Sequence, residues 1–160
     1  MRKQRIYLET SLFSYYFDED RDAHADTVRL FEDIELGKYE AYTSDYVIDE
    51  LNDAVSEKRD KMLALIDKCS ITVLGPDPEA EQLADKYVEQ RIIPTKSRTD
   101  GIHIAVAAVN NLDMIVSMNF RHIVKRKTKF GVASINSQSG YRVIEIYSPM
   151  EVHDEEAEYN

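Results

Sequence analysis

Residues 100–119 of the sequence, DGIHIAVAAVNNLDMIVSMN, decide how the rest of the chain is interpreted. From 100 to 111, apolar side chains occupy nearly every position around a helix, which predicts a helix that is buried on most of its faces. The run MIVSM that follows, at 114–118, is short and apolar, as is typical of a buried strand. A buried helix next to a buried strand indicates a sheet that helices cover on both faces.

Outward from this segment, apolar strands alternate with amphipathic helices. Strands are predicted at 6–8, 39–44, 71–75 and 142–148, and helices at 24–37, 45–55, 57–69 and 79–91. The basic stretch before the last strand is expected to be helical or irregular. The alternation predicts an α/β fold, a three-layer sandwich with a mainly parallel sheet flanked by helices. We expect one domain over residues 1–150 and an acidic C-terminal tail over residues 151–160.

The composition excludes several classes of protein. A chain of 160 residues, 43% of them hydrophobic, can bury a core of its own. Cys69 is the only cysteine, so an intrachain disulfide and a cysteine-based zinc site are both excluded. No segment approaches the roughly 18 apolar residues of a membrane span. These observations predict a cytoplasmic protein that does not enter the membrane.

The charge of the chain opposes nonspecific binding to nucleic acid, because 20 basic and 30 acidic residues give a net charge of -10. The basic residues are nevertheless concentrated late in the chain, at Lys96, Arg98, Arg121 and the run from Lys125 to Lys129. A local positive field can therefore exist on an acidic protein. Lys96 and Arg98 lie just before Asp100 and are better placed to contact a phosphate than the later run, which can equally be a solvated face.

Oxygen-bearing side chains lie at the ends of four predicted elements. Glu9 follows the first strand, and Asn119 follows MIVSM. Glu50 borders the buried stripe of the helix at 45–55, while Asp100 begins the buried helix, where the helix dipole favours a carboxylate. Ligands of α/β sheets bind at the carboxyl ends of the strands. The four side chains are therefore candidates for a common site.

Each of these residues also has an ordinary structural interpretation, as a solvated acid, a helix-dipole partner or a turn residue. Their joint placement favours a metal site, because two carboxylates about 4 Å apart repel by about 4 kcal/mol at an effective dielectric near 20. A divalent cation reverses that penalty. Oxygen ligands without cysteine indicate Mg²⁺ or Mn²⁺ rather than zinc.

Several neighbouring residues are assigned structural roles. Thr10 or Ser11 is expected to cap the first helix. His103, one turn after Asp100, is expected to be a buried or supporting histidine rather than a metal ligand. The tyrosines of the first strand and first helix are expected mainly in the core, with base stacking by one of them as the alternative.

Four segments, in this order, resemble a PIN domain of the VapC-like group. They are IYLETSLFSYYFD (6–18), SDYVIDEL (44–51), TDGIHIAVAAVNNLDMIVSMNFRHI (99–123) and GYRVIEIYSPMEV (140–152). The most specific part is Asp-x-x-His-Ile-Ala followed by Ser-x-Asn-Phe-Arg-His-Ile. The resemblance implies a parallel sheet between helices, with acidic residues at its carboxyl edge that hold Mg²⁺ or Mn²⁺ for RNA cleavage.

The resemblance also implies roles for individual residues. Glu9, Glu50, Asp100 and Asn119 match the first to fourth metal-binding and catalytic positions of the family. Two of them depart from its pattern, since the first acid is more commonly Asp and many members have Asp at the position of Asn119. Weaker metal binding, a changed metal preference or lost activity could follow.

The function implied by the resemblance is a metal-dependent endoribonuclease, in the manner of a toxin that an antitoxin protein masks. Lys96, Arg98 and Arg121 are the candidate RNA contacts, and homodimers are common in the family. The alternative is a catalytically weak or inactive PIN-like module that binds RNA or protein. Glu9, Asn119 and the acidic surface keep this alternative open.

Overall fold

A computed structural model describes residues 2–158 of the chain, with side chains for residues 2–153. Within this range, five strands form one sheet in the order β3, β2, β1, β4, β5, and every neighbouring pair is parallel. The strands are β1 (Gln4–Leu8), β2 (Tyr39–Ser44), β3 (Thr72–Leu74), β4 (Met114–Val116) and β5 (Glu145–Tyr147).

Helices occupy most of the remaining described chain. They are α1 (Thr10–Phe17), α2 (His24–Glu35), α3 (Asp45–Leu51), α4 (Ser56–Lys68), α5 (Pro78–Glu89), α6 (Arg98–Val109), α7 (Arg126–Gln138) and α8 (Pro149–Glu158), with a 3₁₀ turn at Thr95–Ser97. Among the residues that the structure describes, no helix is both long enough and apolar enough to cross a bilayer.

The strand at the centre of the sheet is buried on both faces. Ile6, Tyr7 and Leu8 of β1 are each 0% exposed. Because successive side chains of a strand point to opposite faces, helices must cover both sides of the sheet. The predicted α/β sandwich is therefore confirmed, and its sheet is parallel throughout.

The buried helix predicted from the sequence is α6. All eight residues from Gly101 to Ala108 are buried. The helix begins at Arg98, two residues before the predicted start, and the 3₁₀ turn leads directly into it. Asp100 therefore lies in the first turn of the most buried helix, where the chain can place a carboxylate next to the sheet.

The C-terminal part of the chain contains more regular structure than its sequence predicted. The basic stretch forms the helix α7, and α8 includes most of the residues expected to form an acidic tail. His153 of α8 is buried, and its Nε2 donates a hydrogen bond of 2.9 Å to the carbonyl oxygen of Asp26. Residues 159 and 160 of the predicted tail lie outside the described residues, and the division at residue 150 stays a prediction.

Five helices end in the same backbone motif. A residue with positive φ follows each of them: Gly37, Ser70, Arg91, Asn111 and Gly140. After α5, for example, Arg91 N–H donates to the carbonyl of Val88 and Ile92 N–H to that of Tyr87, at 3.0 and 2.9 Å. This pair of bonds defines the Schellman motif, which satisfies carbonyl groups at the helix end. Two of the five positions are glycines, Gly37 and Gly140, which adopt a positive φ without the steric cost that a side chain meets.

We predict that Arg91→Gly stabilises the protein by about 0.5–1 kcal/mol. The left-handed conformation of Arg91, with φ of 60°, costs an L-residue about 1–2 kcal/mol, whereas glycine pays only about 0.5–1 kcal/mol of additional chain entropy. Urea unfolding measures the difference. Gln82→Gly, at an exposed position inside the same helix, should instead destabilise by about 1 kcal/mol. A loss of stability in Arg91→Gly would contradict this account.

Candidate functional site

Glu9 lies between β1 and α1, at the carboxyl edge of the central strand. Its backbone is extended, and its N–H continues the pairing with β4 by donating to the carbonyl of Val116 at 3.2 Å. The residue is 4% exposed. The hydroxyls of Ser11 and Ser117 both donate to Glu9 Oε1, each at 2.5 Å. The carboxylate is therefore buried but hydrogen-bonded.

Each of these serines is itself oriented by a backbone N–H. Met118 N–H donates to Ser11 Oγ and Asn119 N–H donates to Ser117 Oγ, both at 2.9 Å. Each hydroxyl thus accepts a hydrogen bond from a backbone N–H of the segment after β4 and donates a hydrogen bond to Glu9. The two relays fix one oxygen of Glu9 and fasten the segment after β4 to the start of α1.

The expected caps of the first helix were wrong. Glu9, not Thr10 or Ser11, is the N-cap residue of α1, and its side chain makes no capping bond. Both hydroxyls point instead to carboxylates: Ser11 to Glu9, and Thr10 to Glu50 Oε1 at 2.9 Å. A local sequence rule could not identify these partners, because Glu50 comes from a distant segment of the chain.

Glu50 lies in α3, with its side chain 39% exposed, and receives two protein hydrogen bonds on Oε1. One comes from Thr10, and the other comes from His103 Nε2 at 2.5 Å. Burial acts to raise the pKa of Glu50, but the hydrogen bond and charge of His103 and the hydrogen bond from Thr10 together outweigh it and leave that pKa lowered. Because an ionised carboxylate only accepts, His103 must carry its proton on Nε2.

A buried network of polar groups holds His103 in this orientation. The hydroxyl of Tyr7 lies 2.7 Å from His103 Nδ1 and 2.6 Å from Ser44 Oγ. Ser44 Oγ also accepts from Val47 N–H at 3.4 Å and so caps α3. Burial alone would lower the pKa of His103, yet the Glu50 hydrogen bond and the nearby carboxylates raise it. His103 thus supports Glu50, as expected.

The pKa of Asp100 is raised by burial and by the neighbouring carboxylates. Burial is the largest cause that raises its pKa from 3.8 to about 6, and the negative charges of Glu9 and Glu50 raise it further. His103 and a hydrogen bond from Asn119 act in the opposite direction. The field of each of the other two carboxylates therefore reaches Asp100, which shows that the three acids lie near one another.

Asn119 acts as a donor in this arrangement. Its Oδ1 accepts from His122 N–H at 3.0 Å, so the amide NH₂ is the group that faces Asp100. One lone pair of Asn119 Oδ1 is therefore used by a backbone donor, and the side chain also lowers the pKa of Asp100. The pKa of Asp100 thus responds to Glu9, Glu50 and Asn119, so the four candidate residues lie in one region, and their roles as metal ligands stay a prediction.

The donor set fits a hard divalent cation. Three carboxylates lie near enough to influence one another electrostatically, and one oxygen of Glu9 and one of Glu50 are held by hydroxyl and imidazole donors, as ligating carboxylates usually are. Within the described residues, no three His, Cys, Asp or Glu side chains form a group able to hold an ion directly. Water would therefore complete the coordination, which suits Mg²⁺, because that ion keeps several waters and takes one or two carboxylates.

The three candidate RNA contacts are placed differently. Lys96 and Arg121 are exposed. Burial is the largest cause that lowers the pKa of His122, and the positive charges of Arg121, Lys125 and Lys96 lower it further. The guanidinium of Arg98 pairs instead with Asp85 at 2.7 Å and Glu81 at 3.8 Å, which ties α6 to α5. Its charge is therefore already compensated within the protein.

The family model of the PIN domain matches residues 6–127, which includes all four candidate site residues. The chain belongs to the PIN-domain family. No curated protein matches the sequence significantly.

Two solved structures share the fold of this PIN domain. VapC20 from Mycobacterium tuberculosis, a sarcin-ricin loop cleaving toxin, has 16% identity and a TM-score of 0.53, covering 69% of this chain and 86% of its own. VapBC2 from Rickettsia felis, solved with a DNA fragment from its promoter, has 12% identity and a TM-score of 0.55, covering 91% of this chain and 98% of its own. At these identities the likeness shows the fold alone.

We predict that Asp100→Asn stabilises the metal-free PIN domain at pH 8 by roughly 1 kcal/mol. A folded pKa near 6 lies above the unfolded value of 3.8, so stability is lost as the pH rises through 6. A pKa difference of about two corresponds to about 3 kcal/mol in the free energy of unfolding. Solvent screening of the partly exposed carboxyl reduces that contribution. Urea unfolding in the presence of chelator measures the free energy of unfolding of both proteins. The difference between wild type and Asp100→Asn should become smaller from pH 8 towards pH 4. The exposed acid Asp53 provides the control, because Asp53→Asn should give a small, constant difference.

Proposed function

We propose that this PIN-domain protein is a metal-dependent endoribonuclease that hydrolyses RNA phosphodiester bonds. One observation carries the proposal: Glu9 and Glu50 lie near enough to Asp100 for their negative charges to raise its pKa. Folding keeps these acids together although they repel one another. Carboxylates perturbed by burial and by like charges are typical of functional sites.

In such a site, some residues would bind the cation and others would orient those ligands by hydrogen bonds. Glu9, Glu50 and Asp100 would hold Mg²⁺ or Mn²⁺, directly or through water. When bound, the cation supplies a water of lowered pKa for in-line attack on phosphorus and neutralises charge on the leaving oxygen. The supports are Ser11 and Ser117 for Glu9, Thr10 and His103 for Glu50, and Asn119 for Asp100. No side chain is needed as a nucleophile.

The positive charges near the site suggest where the RNA backbone lies. Lys96, Arg121 and Lys125 come from two separate segments and act together on His122. Such a cluster can attract phosphates even though the chain has a net charge of -10. We propose these three residues as the backbone contacts, with Arg98 in a structural role.

We further propose that the protein is the toxin of a toxin-antitoxin pair in the cytoplasm. VapC20 is described as a toxin, and VapBC2 as bound to DNA from its promoter. An antitoxin partner is therefore part of the proposal for this chain, and a homodimer stays a prediction from the family resemblance.

A second candidate function is a PIN module that binds RNA or protein without cleaving it. Two observations favour it: Glu9 is 4% exposed with one oxygen held by two hydroxyls, and Asn119 faces Asp100 with its amide donor. Both features reduce the number of negatively charged oxygen atoms that are available to coordinate a cation. Cleavage assays separate the two candidates.

We predict that the purified protein cuts RNA in Mg²⁺ or Mn²⁺ and stops in chelator. Asp100→Asn should lower the cleavage rate at least roughly 100-fold, because it removes a charged group that would face the cation, while Thr10→Val should lower it about 10- to 100-fold by loosening Glu50. Product formation on several structured RNAs measures both effects. Asp53→Asn is the control and should cut like the wild type. Normal cleavage by Asp100→Asn would eliminate this site, and intact RNA with measurable RNA binding would favour the second candidate.

We predict that Arg121→Ala and Lys125→Ala each reduce the salt dependence of RNA binding. Each phosphate contact on a single strand contributes about 0.7 to the slope of log affinity against log salt. Arg98→Ala should leave that slope unchanged and lower stability instead, because its partners are Asp85 and Glu81. Binding titrations at several salt concentrations measure the slope. Lys61→Ala, on α4, is the matched charge control, and a slope change in Arg98→Ala equal to that of Arg121→Ala would contradict the assignment.

A further inference from the structure

An apolar pocket lies beside the carboxylates and has no role in the proposed chemistry. Its volume is about 480 Å³, within the range of small-molecule sites. Its walls come from α1, α2, the α1–α2 loop, the segment after β4 and the start of α8. We call it the Phe120 pocket, and its main lining residues are Tyr15, Arg21, Asp22, Met118, Phe120 and Met150.

The exposure of Phe120 is built into a well-ordered turn. Phe120 and Met150 are 48% and 46% exposed, which is unusual for large apolar side chains side by side. The carbonyl of Asn119 accepts from Ile123 N–H at 3.1 Å and from Val124 N–H at 2.8 Å. Its Oδ1 fixes the intervening His122 N–H. These bonds hold the backbone that carries Phe120, so its aromatic face is presented to solvent by the fold.

The pocket is joined to the candidate site by a single hydroxyl. Ser11 Oγ accepts from Met118 N–H, in the pocket wall, and donates to Glu9 Oε1. Phe120 also directly follows Asn119, whose side chain lowers the pKa of Asp100. The wall of the pocket and the carboxylate of Glu9 are therefore connected through two successive hydrogen bonds, which places the pocket next to the candidate site.

The polar wall of the pocket suits a nucleobase better than a phosphate. The guanidinium of Arg21 is engaged by Asp18 at 2.9 Å and by the hydroxyl of Tyr15 at 3.2 Å, and it lies 4.9 Å from the centre of the Tyr15 ring. The other charged groups are the carboxylates of Asp22 and Asp26. Carboxylates repel phosphate but accept hydrogen bonds from the amino groups of adenine, cytosine and guanine.

We propose that the Phe120 pocket binds one unstacked nucleobase of single-stranded RNA, at a nucleotide flanking the scissile phosphate. Phe120 supplies the stacking face, Met118 and Met150 line the apolar walls, and the acids favour a base with an exocyclic amino group over uracil. The proposal rests on the proposed ribonuclease function and adds its substrate class. Sequence-specific recognition of RNA commonly uses such splayed bases on aromatic side chains.

The first test uses the methionine methyl groups as reporters of an aromatic ring in the pocket. Protein carrying Asp100→Asn and ¹³C-methyl methionine is titrated in Mg²⁺ with a six-nucleotide oligoadenylate. The methyl signals of Met118 and Met150 should shift through the ring current of a bound base. Met62 and Met114, each 2% exposed in the core, are internal controls and should not move. An abasic oligomer of the same length should leave all of these signals unchanged, and oligouridylate should shift them less than oligoadenylate.

The second test measures stacking through Phe120 itself. Loss of base stacking should reduce kcat/KM for RNA cleavage roughly 5- to 100-fold in Phe120→Ala and in Phe120→Leu, which keeps an apolar side chain without a ring. Phe120→Tyr keeps the ring and should restore cleavage. Normal cleavage by Phe120→Ala would overturn the proposal and leave the pocket to a protein partner.

The two readouts separate failure of this proposal from failure of the ribonuclease assignment. If the methyl signals shift with oligoadenylate while no RNA is cut, the base site stands and the ribonuclease assignment fails. If RNA is cut while the methyl signals of Met118 and Met150 stay unchanged at saturating oligoadenylate, the base site is refuted and the ribonuclease assignment stands.

Discussion

Mutual repulsion among three carboxylates is the constraint on which the rest of the site depends. Burial and the charges of Glu9 and Glu50 hold the pKa of Asp100 near 6, so the metal-free fold bears an electrostatic cost at neutral pH. Donors from neighbouring elements offset part of that cost. Each serine beside Glu9 is oriented by a backbone N–H, and His103 is oriented by Tyr7. The acids are therefore fixed before any ligand arrives, which is the condition for selective cation binding.

The parallel sheet explains why distant residues meet. Strand β1 is central, with β2 on one side and β4 on the other, so the sheet changes its order of progression at β1. Tyr7 pairs with Tyr42, and Leu8 pairs with Val116. The next residues after these strands therefore come out at one edge, as expected at a topological switch point. Glu9 and the support Ser117 follow directly from that register, while Glu50 and Asp100 are brought in by the helices next to the same strands.

The sequence could predict the elements and the acids but not the hydrogen bonds between them. Apolar periodicity identified the buried α6, and position at element ends identified Glu9, Glu50, Asp100 and Asn119. The hydroxyls were misassigned because a serine or threonine at a helix start normally caps it, and only the folded chain brings Thr10 to Glu50. The same limit applies to the helix ends at Ser70 and Arg91, whose positive φ is a conformation that these residues do not favour locally.

Asn119 illustrates how one neutral residue changes the balance of the site. An aspartate at this position would add a fourth negative charge beside Asp100 and raise its pKa further, making the metal-free protein costlier to fold. The amide instead donates to Asp100 and lowers that pKa. It also accepts from His122 N–H, which shapes the turn that presents Phe120. The neutral Asn119 thus both eases repulsion among the acids and lies, in the sequence, between two residues of the Phe120 pocket, Met118 and Phe120.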